Sequence, residues 1–467
     1  MADQPTKIRE IAWSELFPWL MLGQSVRIAL MARVLILGAV GLIATTLGWW
    51  VIGLMFSGAE NPQTRAEIET FHAVASRWVW QDSREFAIAM SAKSADEVFL
   101  SAWAGLLEAP VALWLYLTTP FRAMFSDVSA RTFFYLLLSA LWELLVWGLI
   151  GGAITRIAAL KFTRDEAPGL VAAVKHAAAK LPSYSLPPLI ALGGAAVFAG
   201  QLAVVGVLMR IPFLDLLAAL AWPFVLLLGL LMAILLLGAL VGWPLMWATI
   251  SVEGTDAFDA LSRSYAYTYH RPWRLLWYVL FVGLLAVVSM FVVKLFATSA
   301  MALGDWSIDW GLDEETFHTV VKPEPTTSAS GMEAPPPDTP PLFDDGADET
   351  SANVTDGPPD NDTDGAAEAD EQLEQGRLLT GTLHLVYFWK SMMAALAAGY
   401  QAGFLWVSAV GVYLLLRRDI DGVQMSEVYV DQDEEYGLPP LAEDAGTGVP
   451  DVSPRDAAPA GDDRLPS

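Results

Sequence analysis

Apolar residues in this chain are gathered into long uninterrupted runs rather than into alternating or short amphipathic segments. Runs of roughly 20 apolar residues stand at about 34–56, 133–155, 187–209, 216–249, 275–298 and 392–416, and a helix of that length crosses a hydrocarbon core about 30 Å thick. The pattern predicts an all-α integral membrane bundle of about six transmembrane helices. A seventh apolar run, 99–120, is interrupted by Glu108, Pro110 and Pro120.

Charge decides whether that seventh run crosses, because Lys and Arg collect on the cytoplasmic side of short connections. If 99–120 stays on the outer face, as an interfacial or re-entrant segment, every cytoplasmic connection is basic. Lys7, Arg9, Arg27 and Arg33 come first, then Arg156, Lys161, Arg164, Lys175 and Lys180, then Arg263, Arg271 and Arg274, then Arg417 and Arg418. If it crosses, the parity of all later loops reverses. The expectation is therefore an inner-membrane protein of bacterial type with both termini in the cytoplasm. Its N-terminus has no short apolar core followed by a small-residue cleavage site, so no signal peptide is expected.

Shorter amphipathic stretches precede the outward-going spans. In 165–182, Asp165 is placed to cap a helix with Leu170, Val171, Val174, Ala178 and Leu181 on one face and Lys175, His176 and Lys180 on the other. In 255–271, Thr255 is placed to cap, Phe258, Leu261 and Tyr265 share a face, and Arg263, His270 and Arg271 are basic before Pro272 stops the helix. With a looser copy at 15–33, these predict cytoplasmic helices lying on lipid, with Lys175, Lys180, Arg263, Arg271 and Arg274 facing the headgroups. They raise the possibility of a threefold repeat of surface helix, span out and span back.

Charge then divides the chain. Of its 52 acidic residues, 20 lie in 303–381 and 13 in 419–467, so the formal charge of −25 belongs to these two segments. The organisation is thus a membrane domain, 1–302, with five spans; an acidic, Pro-rich extracytoplasmic loop, 303–381; a sixth span within 382–418; and an acidic cytoplasmic tail, 419–467. Both acidic segments are too poor in large apolar residues to offset chain entropy by burial and are expected to be disordered. Nucleic acid is not an expected partner. Membrane lipid is, and so is another membrane or envelope protein.

The chain has no cysteine and five histidines, at 72, 176, 270, 318 and 384. This excludes disulfides and thiolate chemistry, and neither metal nor cofactor is expected. No phosphate loop, HExxH, GxSxG elbow or dinucleotide fingerprint occurs. Among intramembrane polar residues, Glu143 in the middle of its span is the leading functional candidate, since a buried charge there is costly unless paired, neutral or wet. Glu108, Gln201 and Lys390 follow: Glu108 beside Pro110, Gln201 tying helices together, Lys390 snorkelling with Lys294 from outer span ends. Trp49/Trp50, Trp243/Trp247 and Trp273/Trp277 are read as interfacial anchors. Gly151, Gly152, Gly193, Gly194 and Gly200 are read as points of close helix approach.

Residues 244–285, PLMWATISVEGTDAFDALSRSYAYTYHRPWRLLWYVLFVGLL, carry a Glu253-Gly254 turn, then Ala260, Ser262, Arg263 and Ser264, then Trp273 and Arg274 at the next span. This stretch resembles uncharacterised bacterial multi-span proteins of the YciC-like and glycerophosphodiester phosphodiesterase membrane-domain type. The resemblance implies a membrane part without chemistry of its own. The expected function is a non-enzymatic envelope scaffold or accessory subunit. The alternative is a transporter or channel for a small solute or lipid that uses Glu143.

Overall fold

The computed structural model describes residues 17–58, 61–75, 109–126, 128–311 and 363–429. All regular structure among them is helical. A tight 3₁₀ turn at Pro18–Gly23 leads into α1 (Gln24–Ala29) and α2 (Ala32–Phe56), followed by α3 (Pro62–Ala75), α4 (Ala109–Leu117) and α5 (Thr119–Ala123). Then come α6 (Ala130–Arg164), α7 (Leu170–Ala179), α8 (Leu181–Leu208), α9 (Leu214–Leu220), α10 (Trp222–Glu253), α11 (Ala257–His270), α12 (Pro272–Asp309) and α13 (Thr363–Asp421).

Six of these helices are long and apolar enough to cross a membrane: α2, α6, α8, α10, α12 and the Phe388–Asp421 part of α13. The chain is a multi-pass, all-helical membrane protein. Its outer surface fits that solvent, because Leu226, Leu227, Leu230, Leu231 and Leu237 on α10, and Leu280, Leu284, Val288 and Val292 on α12, are exposed. An apolar surface of this extent is stable against lipid and not against water. The apolar run at 216–249 is divided into α9 and α10 at Ala221, where Pro223 has no N–H for the carbonyl of Ala219.

α2, α6 and α13 form the inner part of the bundle. The closest approach is between α2 and α13, where a Cβ on Gly38 would stand 2.2 Å from the carbonyl oxygen of Gly399, and one on Gly399 2.4 Å from that of Leu35. The glycines singled out in the sequence behave otherwise. Gly151 makes room for the Trp247 ring and Gly152 for the Tyr184 ring, Gly194 meets the side chain of Leu235, and Gly193 and Gly200 have nothing within 4 Å of a Cβ.

The two amphipathic helices start later than their sequences suggest. α7 begins at Leu170 after Gly169, because Asp165 is taken up as the left-handed C-cap of α6, φ 57°, in an ion pair with Lys161 at 2.7 Å. α11 is capped by Asp256, whose carboxylate accepts the N–H of Asp259 at 2.9 Å. On α7 it is Ala173, His176 and Ala177 that pack inward, while Val171 is 78% exposed. On α11 the inward face is Ala257, Ala260, Ser264, Tyr267 and Thr268, and Phe258 is 67% exposed. Most of the inward positions are taken by small residues, with His176 and Tyr267 as the larger exceptions.

Of the interrupted run 99–120, the part from 109 is described. α4 and α5 are packed into the bundle: Tyr116 OH lies 3.1 Å from Thr46 Oγ1, and Trp114 and Phe121 lie 5.7 and 5.4 Å from Trp243. α4 thus reaches alongside the middle of α2, and α5 packs on α10. The acidic segments 322–376 and 432–467 fall almost entirely outside the described residues, except that α13 starts at Thr363.

Candidate functional site

Two groups of buried polar side chains stand out, one at an end of the bundle and one at its middle.

At the end where α6, α10 and α13 finish, backbone ends are closed by side chains of distant elements. Arg156, fully buried on α6, donates from Nη1 to the carbonyl oxygens of Ser251 at 3.0 Å and Tyr429 at 2.8 Å. Ser251 Oγ lies 2.6 Å from Thr155 Oγ1 and 2.8 Å from Tyr184 OH. Glu253 receives Arg263 at 2.7 Å, Arg417 at 2.9 Å and the hydroxyl of Tyr413 at 2.6 Å. Asp419 binds Arg274 at 2.6 Å and accepts from Tyr278 OH at 2.8 Å, while Tyr267 OH donates to Asp421. Burial, followed by the Asp421 hydrogen bond, pushes the Tyr267 hydroxyl above its usual range.

The start of the acidic tail is part of this network. Tyr429 N–H donates to Val252 O at 2.7 Å, and Arg417 Nη1 donates to Glu427 O at 2.7 Å. The Tyr429 ring lies over Gly254, φ 66°, where a Cβ would come within 2.5 Å of it, and Lys180 Nζ stands 5.0 Å from the ring centroid. Lys180 also donates to Gly254 O. Gly254 is therefore required twice, by its left-handed backbone and by the ring above it. Residues 422–429 are held as a strap across the end of the bundle.

The middle of the bundle is aromatic. Trp147 is 5.9 Å from Trp406, Trp406 stacks on Trp247 at 4.4 Å, Trp247 meets Trp243 at 5.6 Å, and Trp243 meets Trp114. Glu143 is one helical turn from Trp147 and fully buried. The bonds from Trp142 Nε1 to Ala44 O, 3.0 Å, and from Trp49 Nε1 to Ser139 O, 3.1 Å, set it beside the midpoint of α2. Neither Glu143 oxygen has a hydrogen-bond partner among the described residues, and the indole nitrogens of Trp147, Trp243 and Trp406 are buried in the same condition. Trp247 is the exception, donating to Tyr184 O at 2.7 Å. Buried donors and acceptors left in this state are rare in folded proteins.

These positions revise the reading of the tryptophans. Trp50, Trp273 and Trp277 are exposed as anchors should be, whereas Trp49, Trp243 and Trp247 are core residues. Trp49 and Trp50, adjacent and so about 100° apart on the helix, fall in different environments, whereas each i,i+4 pair lies on one face and shares one.

Of the other residues expected to act, Lys390 pairs with Asp305 at 2.8 Å across α12 and α13. Gln201 is exposed on α8 and makes no hydrogen bond to another described residue. Glu108 lies outside the described residues. Lys180, Arg263 and Arg274 are engaged by protein groups, while Lys175 and Arg271 are exposed. Glu143 and the tryptophans are brought into one core cluster, and Arg156, Glu253 and Tyr429 form a site that nothing in local sequence announces. The described residues hold no group of three or more His, Asp or Glu arranged for a metal ion.

Comparison with known protein families, curated proteins and solved structures finds no match to this chain.

Proposed function

We propose that this protein is an inner-membrane scaffold or accessory subunit that performs no catalysis and displays an acidic tail from its cytoplasmic end. The observation that carries the reading is the strap at 422–429: Arg156, Val252 and Arg417 hold it at fixed points, so Tyr429, after which the acidic sequence follows, has one defined place on the bundle. A tail rich in Asp and Glu attracts basic surfaces at long range. The partner it suits is a protein with a basic cytoplasmic face.

The assignment of that end to the cytoplasm is supported by its bases. Arg33, Arg156, Lys161, Lys180, Arg263, Arg274 and Arg417 all make their contacts there. The outward-facing Val171 and Phe258 suit contact of α7 and α11 with lipid.

Crosslinking in intact membranes, followed by purification of the full chain, tests the proposal. A reproducible protein partner that is lost on deletion of 432–467 is the expected result. Recovery of the protein alone, from wild type as from the deletion, would sink it.

A second reading, a transporter for a small solute or lipid, is favoured by one observation, the unpartnered carboxyl of Glu143 beside the tryptophan row. Flux assays of Glu143→Gln in reconstituted vesicles test it, and unchanged flux removes its support.

A further inference from the structure

The far end of α12 carries an apolar line that the described residues leave bare. Val292, Phe296, Ser299, Leu303, Trp306 and Trp310 follow one another at alternating steps of four and three residues, the heptad spacing that keeps one seam facing a partner helix. All six are exposed, Leu303 by 62%, Trp306 by 53% and Trp310 by 75%. Trp310, the C-cap, keeps helical angles, φ −69° and ψ −22°, so it stays on the line, and its ring meets that of Trp306 at 4.6 Å.

Lipid does not reach the upper half of this seam. Trp277 is an exposed anchor at the opposite end of α12, next to Tyr278, which bonds Asp419. A helix rises about 1.5 Å per residue, so a hydrocarbon core about 30 Å thick that starts at Trp277 ends close to Phe296. Trp306 stands about 44 Å and Trp310 about 50 Å from Trp277 along the axis, past the further 5–7 Å or so of headgroups. Large apolar side chains gathered in water mark a contact with protein.

The seam is also uncharged. Within 295–308 the single ionisable residue is Asp305, and it turns to α13, where Lys390 holds it at 2.8 Å. The positions flanking the seam, Ala300, Ala302 and Ser307, are small and exposed, so a second helix can come close without meeting a like charge.

We propose that α12 pairs along this seam with α12 of a second copy of the chain, parallel and in register. The proposal rests on α12 crossing the bilayer and is independent of the scaffold role. Copies inserted in one membrane share one orientation, so a closed pair has its two-fold axis along the membrane normal, and its matching helices run parallel. A second copy then presents the same heptad at the same height, the condition for side chains to interlock along the whole seam.

The chain has no cysteine, so one introduced thiol reports on one contact. In the full chain in native membranes, Ser299→Cys is expected to give a disulfide-linked dimer of twice the chain mass on mild oxidation. Parallel pairing in register brings the two 299 positions within the about 4.4–6.8 Å between Cα atoms that a disulfide spans. Gly304→Cys, at a similar height but turned off the seam, with nothing within 4 Å of a Cβ, is expected to stay monomeric. Adding Leu303→Glu and Trp306→Glu to Ser299→Cys should abolish the crosslink, and both side chains are exposed, so the bundle does not depend on them. Native mass spectrometry of the wild-type chain in mild detergent should show the dimer without any variant. A monomeric wild type, no crosslink from Ser299→Cys, equal crosslinking from Gly304→Cys, or a crosslink that survives the two glutamates would each overturn the proposal. A chain that fails to pellet with membranes would overturn the bilayer placement and the seam argument with it, a result distinct from pelleted protein that does not crosslink.

Discussion

Trp247 donates its indole N–H to the carbonyl oxygen of Tyr184 at 2.7 Å, and that oxygen is free to accept because Pro188, four residues on, has no N–H to offer. A defect in one span is thereby closed by a side chain of another. Tyr184 also reaches Ser251 through its hydroxyl, so α8, α10 and α6 meet at this point.

Trp247→Phe should destabilise the protein by about 1–3 kcal/mol, the cost of leaving a buried carbonyl unsatisfied. In a Pro188→Ala background, which supplies the missing N–H, the same substitution should cost clearly less. Thermal unfolding of the four proteins in detergent completes the cycle, and additive effects would contradict the coupling.

Gly38→Ala should be severe, because its Cβ would fall 2.2 Å from the Gly399 carbonyl and force α2 from α13. Overpacking of this kind costs about 1–3 kcal/mol. Gly200→Ala, with nothing within 4 Å, should be neutral or stabilising by about 0.5–1 kcal/mol. Unfolding midpoints of the two variants distinguish close contact from helix propensity.

Glu143→Leu should raise stability by about 1–3 kcal/mol, since it removes two buried oxygens that have no partner. A fall in stability instead would mean that the carboxyl has an essential partner in the membrane.

Stability should also fall at high pH through α11, which lies outside the spans. Burial, with Tyr269 nearby, raises the Tyr265 hydroxyl to about 12, and that hydroxyl donates to Leu235 O at 2.5 Å. A Tyr in the unfolded chain titrates near 10. Between about pH 10 and 12 the folded state therefore holds the proton more tightly, and stability present below pH 10 is lost as pH rises through that window. Tyr265→Phe should flatten the pH dependence of unfolding there, as followed by tyrosinate absorbance.

A chain ending after Gly422 should lose about 2 kcal/mol against one ending after Asp431, because the first lacks the bonds of Arg156 and Val252 to Tyr429. Equal unfolding midpoints would mean that the strap contributes nothing to the bundle.

The sequence by itself determined that the chain is helical and crosses a membrane several times. The length of an apolar run against the thickness of a bilayer is a local property, as is the need of each backbone to satisfy itself in lipid. Caps were legible to within a few residues: Asp256 and not Thr255 holds α11, and Asp165 ends one helix rather than starting the next. What surrounds a side chain was decided only by tertiary structure. Trp243 and Trp273 occupy similar places near span ends in the sequence, yet one is walled in by Trp114, Phe121 and Trp247 and the other is 81% exposed. Gly38 is critical and Gly200 idle for the same reason. Arg156, Glu253 and Tyr429 come together from positions more than 90 residues apart, and such convergence follows from which helices pack, a choice that no local pattern of apolar and polar residues encodes.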